Sequence, residues 1–155
     1  TGVVLVDQAG AAAGPGAPGH FRGVDAFCLK LCNAIRPARA YFGEKAAQQL
    51  AVVRRLVVDL HRELEIVGVP TVRDEDGLAL SSRNAYLSTD ERTAALSLPR
   101  ALATKDLAQA RELLAGLDVD YLEEANFNGQ RVLAAAVRVG TTRLIDNVVL
   151  EGDTK

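Results

Sequence analysis

The sequence contains no methionine, and it begins at Thr1. We therefore expect that an N-terminal part has been removed, or that these 155 residues belong to a longer chain. Long apolar runs are also missing, whereas a helix needs about 20 apolar residues to cross a bilayer. No charged and then apolar leader opens the sequence either. These absences predict a soluble protein with no membrane partner.

A strong charge of one sign is missing as well. The formal net charge of -2 offers no basic field for nucleic acid, so any anionic ligand must be held locally. Cys28 and Cys32 lie one helical turn apart, where a disulfide would be strained, and we expect buried thiols in a reducing compartment. His20 and His61 are far apart in the sequence, so nothing indicates a zinc site.

What remains is an ordinary globular composition, with 48% hydrophobic and 25% charged residues. Pro37 ends a predicted helix, and a short strand follows at Ala40–Phe42. A long amphipathic helix is predicted over Lys45–Leu64 and a buried strand over Ile66–Val72. Because a crossover helix usually joins parallel strands, this order predicts an α/β fold with a parallel sheet. It would be a partial doubly wound sheet, with the first two thirds missing.

The second half of the sequence predicts a small α+β unit, with the boundary between the units near Arg73–Tyr86. A polar loop over Asp74–Asn84 precedes a helix that opens with the capping box Ser88 and Glu91 and is interrupted by Pro99. A further helix from about Thr104 to Gly116 is followed by strands at Val119–Glu123, Arg131–Val139 and Arg143–Leu150, with a hairpin at Asn128-Gly129.

Gly43, Glu44 and Lys45 lie where the first strand turns into the long helix. Backbone N–H groups and the positive helix end then point toward the carboxyl edge of the sheet, which favours an anion. The alternative is a solvated lysine paired with Glu44, since charge effects at helix ends amount to only about 0.3–1 kcal/mol.

The segment Ser81-Ser82-Arg83-Asn84 offers two hydroxyls and a planar guanidinium, which suit phosphate oxygens. The alternative is a capped turn with an exposed arginine. The preceding Asp74, Glu75 and Asp76 could hold magnesium. Three consecutive acids cannot all face one ion, however, so a solvated turn is expected and no residue is assigned to a metal.

Several blocks of the sequence, in order, carry a family resemblance. They are His20–Val24, Tyr41–Lys45 with Gln48–Leu50, Val67–Arg73, Asp76–Asn84 and Gly140–Asn147. Together they are similar to the pantothenate synthetase family, and they match its C-terminal half only. The resemblance implies a nucleotidyltransferase-type Rossmann-like fold. Residues 1–73 would be the C-terminal part of the nucleotide-binding domain, and residues 74–155 a small α+β C-terminal domain.

The family's activity would be an ATP-dependent ligation. Pantoate is adenylated with release of pyrophosphate, and β-alanine then attacks the pantoyl adenylate to give pantothenate and AMP. The resemblance implies ATP as a substrate together with Mg²⁺, pantoate and β-alanine as small-molecule partners, a cytoplasmic location, and a homodimer or a missing N-terminal half.

The family match also assigns roles to residues. Lys45 would contact the ATP phosphates, and Ser81, Ser82 and Arg83 would hold the triphosphate and the leaving pyrophosphate. Gln49 would hydrogen-bond pantoate. The nucleotide pocket would be lined by Gly43, Val72 and Leu80.

The chain also departs from the family pattern. The family's His-x-Gly-His segment is missing, Ala46 replaces the aspartate that would hold the ribose, Ala17 replaces an arginine, and the region between Ala103 and Asp118 is contracted. Three hypotheses follow: a pantothenate synthetase seen as its C-terminal half, a truncated non-catalytic nucleotide-binding remnant, and a divergent adenylating ligase with another substrate. An isolated half would expose a sheet edge, so we expect instability or self-association.

Overall fold

The computed structural model describes residues 27–61, 63–127 and 129–150. The chain divides into two units, the first ending at Pro70 and the second beginning at Thr71. The block His20–Val24 and Ala17 lie outside the described residues.

The first unit alternates between helix and strand. Its elements are helix α1 over residues 27–35, strand β1 at Arg39–Gly43, a 3-10 turn at Glu44–Ala46, helix α2 at Ala47–Asp59 and strand β2 at Glu65–Val69. Strands β1 and β2 pair in parallel, with Arg39 opposite Glu65 and Gly43 opposite Val69. The predicted strand–helix–strand unit with a parallel sheet is therefore confirmed.

The ends of these elements show where local sequence signals dominate. Helix α1 stops two residues before Pro37, because proline disfavours helical backbone in the residue before it. Arg36 accordingly adopts a left-handed φ of 50°. Strand β2 ends immediately before Pro70, which has no N–H to donate to a ladder.

Two predicted spans in this unit are wrong in length. Helix α2 ends at Asp59 and not at Leu64, because His61 takes a left-handed φ of 48° and turns the chain back toward β2. Strand β2 is shorter than Ile66–Val72, and its residues are half-buried or exposed rather than fully buried. The predicted apolar face of α2 is present, and Leu50, Ala51, Val52, Val53 and Leu56 are buried.

The described residues of the second unit form three short α-helices and an antiparallel sheet, besides a 3-10 helix at Ser82–Tyr86. The helices are α3 at Thr89–Ala95, α4 at Ser97–Ala103 and α5 at Leu107–Leu113, and the strands are β3 at Asp118–Phe127, β4 at Gln130–Val139 and β5 at Thr142–Val149. The strands follow the order β3-β4-β5. Phe127 pairs with Gln130, so the hairpin predicted between β3 and β4 is confirmed.

Helix α3 begins as predicted. The Ser88 N–H donates to Glu91 Oε2 at 2.8 Å, and the Glu91 N–H donates to Ser88 Oγ at 3.2 Å, which confirms the capping box. Pro99, however, does not interrupt a helix. The break falls at Leu96, and Pro99 lies in the first turn of α4, where the missing N–H has no helical acceptor to lose.

The last helix begins later than predicted. Lys105 has a left-handed φ of 55°, and Asp106 caps α5 by accepting the Gln109 N–H at 2.8 Å. Thr104 therefore caps the end of α4 and does not open α5.

The core of the second unit lies between the helices and one face of the sheet. Strand β4 supplies Leu133, Ala135 and Val137 to this core, and the helices supply Leu98 and Leu102. The opposite face of β4 is also buried, at Val132, Ala134 and Ala136. Because β4 is buried on both faces, it supports the residues on its neighbouring strands β3 and β5.

Candidate nucleotide-binding site

The segment between β2 and the helices of the second unit forms a small hairpin. Arg73 and Ala79 make an antiparallel bridge, and the Leu80 N–H donates to the Val72 carbonyl oxygen at 2.9 Å. Val72 and Leu80 are therefore cross-strand neighbours, whose side chains lie on the same face of the hairpin. They are 61% and 49% exposed, so this face presents an apolar surface to solvent.

The tip of this hairpin is a turn closed by the Gly77 N–H donating to the Asp74 carbonyl oxygen at 2.9 Å. Gly77 has a φ of 91°, a conformation that glycine adopts without a steric penalty. The turn thus brings the two predicted pocket-lining residues, Val72 and Leu80, together from positions eight apart in sequence.

The segment Ser82–Tyr86 follows the hairpin directly and is a 3-10 helix. Ser81 is its N-cap, with Oγ accepting the Arg83 N–H at 3.3 Å. Ser82 and Arg83 are exposed, and one Arg83 Nη1 hydrogen is donated to the Arg143 carbonyl oxygen at 3.4 Å. The capped turn with an exposed arginine is therefore present, and it leaves the Ser82 hydroxyl and most of the Arg83 guanidinium facing solvent.

Asn84 ties this turn to the hairpin. Its Nδ2 donates to the Ala79 carbonyl oxygen at 3.2 Å. Its Oδ1 is buried and has no hydrogen-bond partner among the described residues. The position of the Ser81–Arg83 turn thus depends on the position of the hairpin.

The acidic residues of the hairpin are paired with an arginine. Arg92 on α3 donates from Nε to Asp76 Oδ2 and from Nη2 to Asp74 Oδ2, each at 2.7 Å. The hydrogen bond from Arg92 lowers the pKa of Asp76 below its usual range. Glu75 and Asp76 are exposed, as expected of a solvated turn, and Arg92 adds an ion pair with Asp74 and Asp76 that the sequence did not predict. Within the described ranges, no group of three or more histidine, cysteine or acidic side chains could hold a metal ion.

Lys45 and Gln49 belong to the first unit, at the carboxyl end of β1. Lys45 is half-buried in the 3-10 turn, two residues before α2 begins, rather than in the first turn of that helix. Gln49 is the third residue of α2. A Cβ at Gly43 would meet no atom of the described residues within 4 Å, so these residues leave open space beside this turn.

The N-cap of α2 is Ala46, whose methyl group cannot accept a hydrogen bond from the first backbone N–H groups of the helix. An aspartate at this position would place a carboxylate at the same helix end. Ala46 supplies neither a side-chain cap nor a charge there.

Glu44 is directed toward β2. A Cβ at Gly68 would lie 2.6 Å from Glu44 Oε1 and 3.2 Å from Arg54 Nη2, so the carboxylate and this guanidinium both lie beside Gly68. The glycine thus makes room for two charged side chains over the strand.

Sequence reasoning missed the residues that support the second-unit site. Arg73 makes two hydrogen bonds to Asp146 on β5, at 2.6 Å and 3.1 Å, and the Asp146 side chain is only 1% exposed. A signal was present, because Asp146 occupies an inward position of a strand whose other inward residues include Leu144 and Val148. An acid at such a position requires a cationic partner.

Other charged groups on the sheet are arranged around Arg143. Its Nε donates a hydrogen bond to Asp120, and this bond lowers the pKa of the Asp120 carboxyl group. Its guanidinium carbon lies 5.9 Å from the centroid of the Tyr121 ring. Burial raises the pKa of Tyr121. The Arg143 backbone, which accepts from Arg83, is thereby held on a well-anchored strand.

The predicted site residues thus fall into two groups. The second unit gathers Val72, Leu80, Ser81, Ser82 and Arg83 along one hairpin and its following turn. The first unit carries Gly43, Lys45 and Gln49 around the end of β1. A parallel β-α-β unit followed by an antiparallel sheet with short helices places the chain in the Rossmann-like α/β class with a small α+β C-terminal unit.

Comparison with known proteins identifies the family within this class. The family model described as pantoate-beta-alanine ligase matches residues 3–149. Pantothenate synthetases from Caldicellulosiruptor saccharolyticus and Rhizorhabdus wittichii are 47% and 48% identical over 89% of this chain. The chain spans only 58% and 57% of the length of these two relatives. It belongs to the pantoate–β-alanine ligase family.

Solved structures agree with this assignment and confirm the predicted fold class. The pantothenate synthetase of Thermus thermophilus has a TM-score of 0.87 and 40% identity, over 96% of this chain and 63% of that protein. The ligase of Francisella tularensis, solved with beta-gamma ATP and beta-alanine, has a TM-score of 0.80 and 30% identity, over 95% of this chain and 57% of that protein. None of the helices in the described ranges is long and apolar enough to cross a membrane.

Proposed function

We propose that this chain carries part of the active site of an ATP-dependent ligase that condenses pantoate with β-alanine. The carboxylate of pantoate attacks the α-phosphorus of ATP and pyrophosphate leaves. The amine of β-alanine then attacks the acyl carbon of the pantoyl adenylate, forming the amide of pantothenate and releasing AMP. Such chemistry requires mainly positioning of the reactants and stabilisation of negative charge.

The observation that carries this proposal is the hairpin with its turn. The exposed apolar pair Val72 and Leu80 offers a surface for a flat base, and the next residues are the hydroxyls of Ser81 and Ser82 and the guanidinium of Arg83. A nucleotide has an apolar base at one end and charged phosphates at the other. The apolar pair and the adjacent hydroxyl and guanidinium groups match these two ends. The Francisella tularensis relative, solved with beta-gamma ATP, supports the same ligand.

Lys45 is proposed to bind phosphate oxygens, and Gln49 to hydrogen-bond pantoate. Mg²⁺ is proposed to arrive with ATP and to be held by the triphosphate. Asp74 and Asp76, at the tip of the preceding hairpin, are already paired with Arg92 and fit a metal ion poorly. The N-terminal half, or a second copy in a homodimer, would supply the remaining groups, and the family relationship favours a cytoplasmic location.

Two other functions remain as alternatives to be tested. Ala46 favours a nucleotide-binding remnant without catalysis, because the helix end beside Lys45 lacks a carboxylate. It equally favours an adenylating ligase that accepts another acid, since the surroundings of the bound nucleotide would differ from those in the family.

The experiment measures exchange of labelled pyrophosphate into ATP by this chain with Mg²⁺, in the presence of pantoate or of another carboxylic acid. Exchange that requires pantoate, and that is lost in Lys45→Ala but kept in Lys30→Ala, would support the proposal. Lys30 is a suitable control because it is an exposed lysine on α1.

The other outcomes separate the alternatives. Exchange that requires a different carboxylic acid would show the divergent ligase. A cooperative thermal transition together with ATP binding but no exchange would indicate the remnant. ATP binding that is unchanged in Lys45→Ala would contradict the phosphate-binding role of this lysine.

A further inference from the structure

The ion pair between Arg73 and Asp146 joins two segments that are 73 residues apart in the sequence. Arg73 is at the base of the hairpin and its side chain is 34% exposed, whereas the Asp146 carboxylate is almost completely buried. Arg73 Nη1 donates to Asp146 Oδ2, and Arg73 Nη2 donates to Asp146 Oδ1. Such a two-point contact sets an orientation as well as a distance.

Each partner is held by further bonds. Asp146 Oδ1 also accepts the Asn147 N–H at 2.8 Å, which orients the carboxylate on β5. Arg73 Nη1 also donates to the Gly77 carbonyl oxygen at 3.2 Å, so the same guanidinium reaches the tip of the hairpin. Asp146 therefore acts on the whole hairpin through a single side chain.

The ladder of this hairpin is short. It consists of the Arg73–Ala79 bridge, flanked by the backbone bonds Leu80 N–H to Val72 and Asp74 N–H to Leu78. A two-stranded ribbon of this length is at best marginally stable by itself in water. The elements around it must therefore hold it: Leu78 is buried in the core of the second unit, and Arg92 on α3 pairs with the acids at the tip.

We propose that Asp146 is a positioning residue which, through Arg73, sets the place of the hairpin and hence of the Ser81–Arg83 turn. The inference rests on the proposed function, because the turn is the part of the site expected to bind the phosphates of ATP. The hydrogen bonds of Asp146 go to Arg73 and to the Asn147 N–H. Its effect passes from the carboxylate to Arg73, then to the hairpin, and then through the Asn84–Ala79 hydrogen bond to the 3-10 helix.

The test compares Asp146→Asn with Glu124→Gln in the full chain. Both substitutions neutralise a carboxylate that binds an arginine. Glu124, however, pairs with Arg131 across strands β3 and β4, in an exposed contact that does not involve the Val72–Leu80 hairpin. Hydrogen exchange is followed at the Leu80 amide and at the amides of β4, and ATP binding is followed by titration. Arg73→Lys is a milder second variant, which keeps the positive charge and loses the two-point contact.

The expected result for Asp146→Asn is about tenfold faster exchange, or more, at the Leu80 amide relative to the β4 amides, as for loss of a charge-assisted hydrogen bond. ATP affinity should fall by about the same factor in this variant and stay unchanged in Glu124→Gln. If Asp146→Asn fails to fold, Arg73→Lys should show both effects with β4 intact.

A purely structural role would accelerate exchange equally at Leu80 and in β4, and that result would overturn the proposal. ATP binding unchanged in both Asp146→Asn and Arg73→Lys would overturn it as well. If the unsubstituted chain binds no ATP, the proposed function fails and the exchange measurement alone decides: selective loss at Leu80 upholds the positioning role, and no selective loss refutes it.

Discussion

A single methyl group at Gly140, in the turn between β4 and β5, should cost a large part of the chain's stability. Gly140 has a left-handed φ of 57°, and a Cβ placed there would overlap Glu91 Oε1. Glu91 cannot simply swing away, because its other oxygen accepts the Ser88 N–H in the capping box of α3. Gly140→Ala therefore strains the turn and also breaks a helix cap.

The magnitude follows from these two parts. A left-handed alanine costs roughly 1–2 kcal/mol. Loss of the glutamate half of the capping box costs about 1 kcal/mol more. The sum of about 2–3 kcal/mol corresponds to a fall in melting temperature of roughly 5–10 °C for a chain of this length.

Calorimetry or denaturant titration measures this change, and the chain offers its own control. Gly129 also has a positive φ, of 85°, but among the parts of the chain that the structure describes, a Cβ there would meet no atom within 4 Å. Gly129→Ala should therefore show the backbone cost alone. In a chain that already carries Glu91→Ala, adding Gly140→Ala should likewise cost only the backbone part. Equal losses for the two glycine variants, or an excess that persists without Glu91, would refute the reasoning.

Two further predictions concern single side chains in each unit. Ala46→Asp should stabilise the chain by about 0.5–2 kcal/mol as an N-cap and tighten ATP binding roughly tenfold or more; Ala46→Ser should reproduce only the gain in melting temperature, and an equal gain in affinity from serine would contradict a role for the carboxylate. Burial raises the pKa of Glu123, and its Oε1 has no hydrogen-bond partner among the described residues. The carboxyl group of Glu123 thus binds its proton more tightly in the folded state than in the unfolded state. Its contribution to stability is therefore present below the ordinary glutamate pKa and is lost as the pH rises through the pKa of the folded state. Glu123→Gln should therefore raise the melting temperature at pH 7 but not near about pH 3, and a gain as large from Glu124→Gln, or one independent of pH, would argue against this.

Local signals in the sequence predicted a large part of the fold. The stop at Pro37, the Ser88–Glu91 capping box and the hairpin at Asn128-Gly129 each depend on residues within one turn of one another. Such signals act through backbone sterics and short hydrogen bonds, which the rest of the chain does not alter. The predicted parallel pairing of β1 and β2 follows from a similar rule, since the helix between them determines the direction of return.

Other features depended on contacts that no local pattern contains. The end of α2 near His61 and the helix break at Leu96 are decided by where the chain must turn to pack, although Lys45–Leu64 is periodic throughout and Pro99 is the obvious breaker. The same holds for the ion pairs of Asp74 and Asp76 with Arg92, because only the packing of α3 brings Arg92 beside this solvated turn.

The sequence by itself determined which chemical groups are proposed to bind a nucleotide: the hydroxyls of Ser81 and Ser82, the guanidinium of Arg83 and the ammonium of Lys45. It also determined the family, through ordered blocks of residues. Only the tertiary structure decided how the residues of the second unit are arranged in space. Val72 meets Leu80 across a hairpin, and that hairpin is held by Asp146 from the far end of the chain, because a buried carboxylate must find its cation in space and not along the sequence.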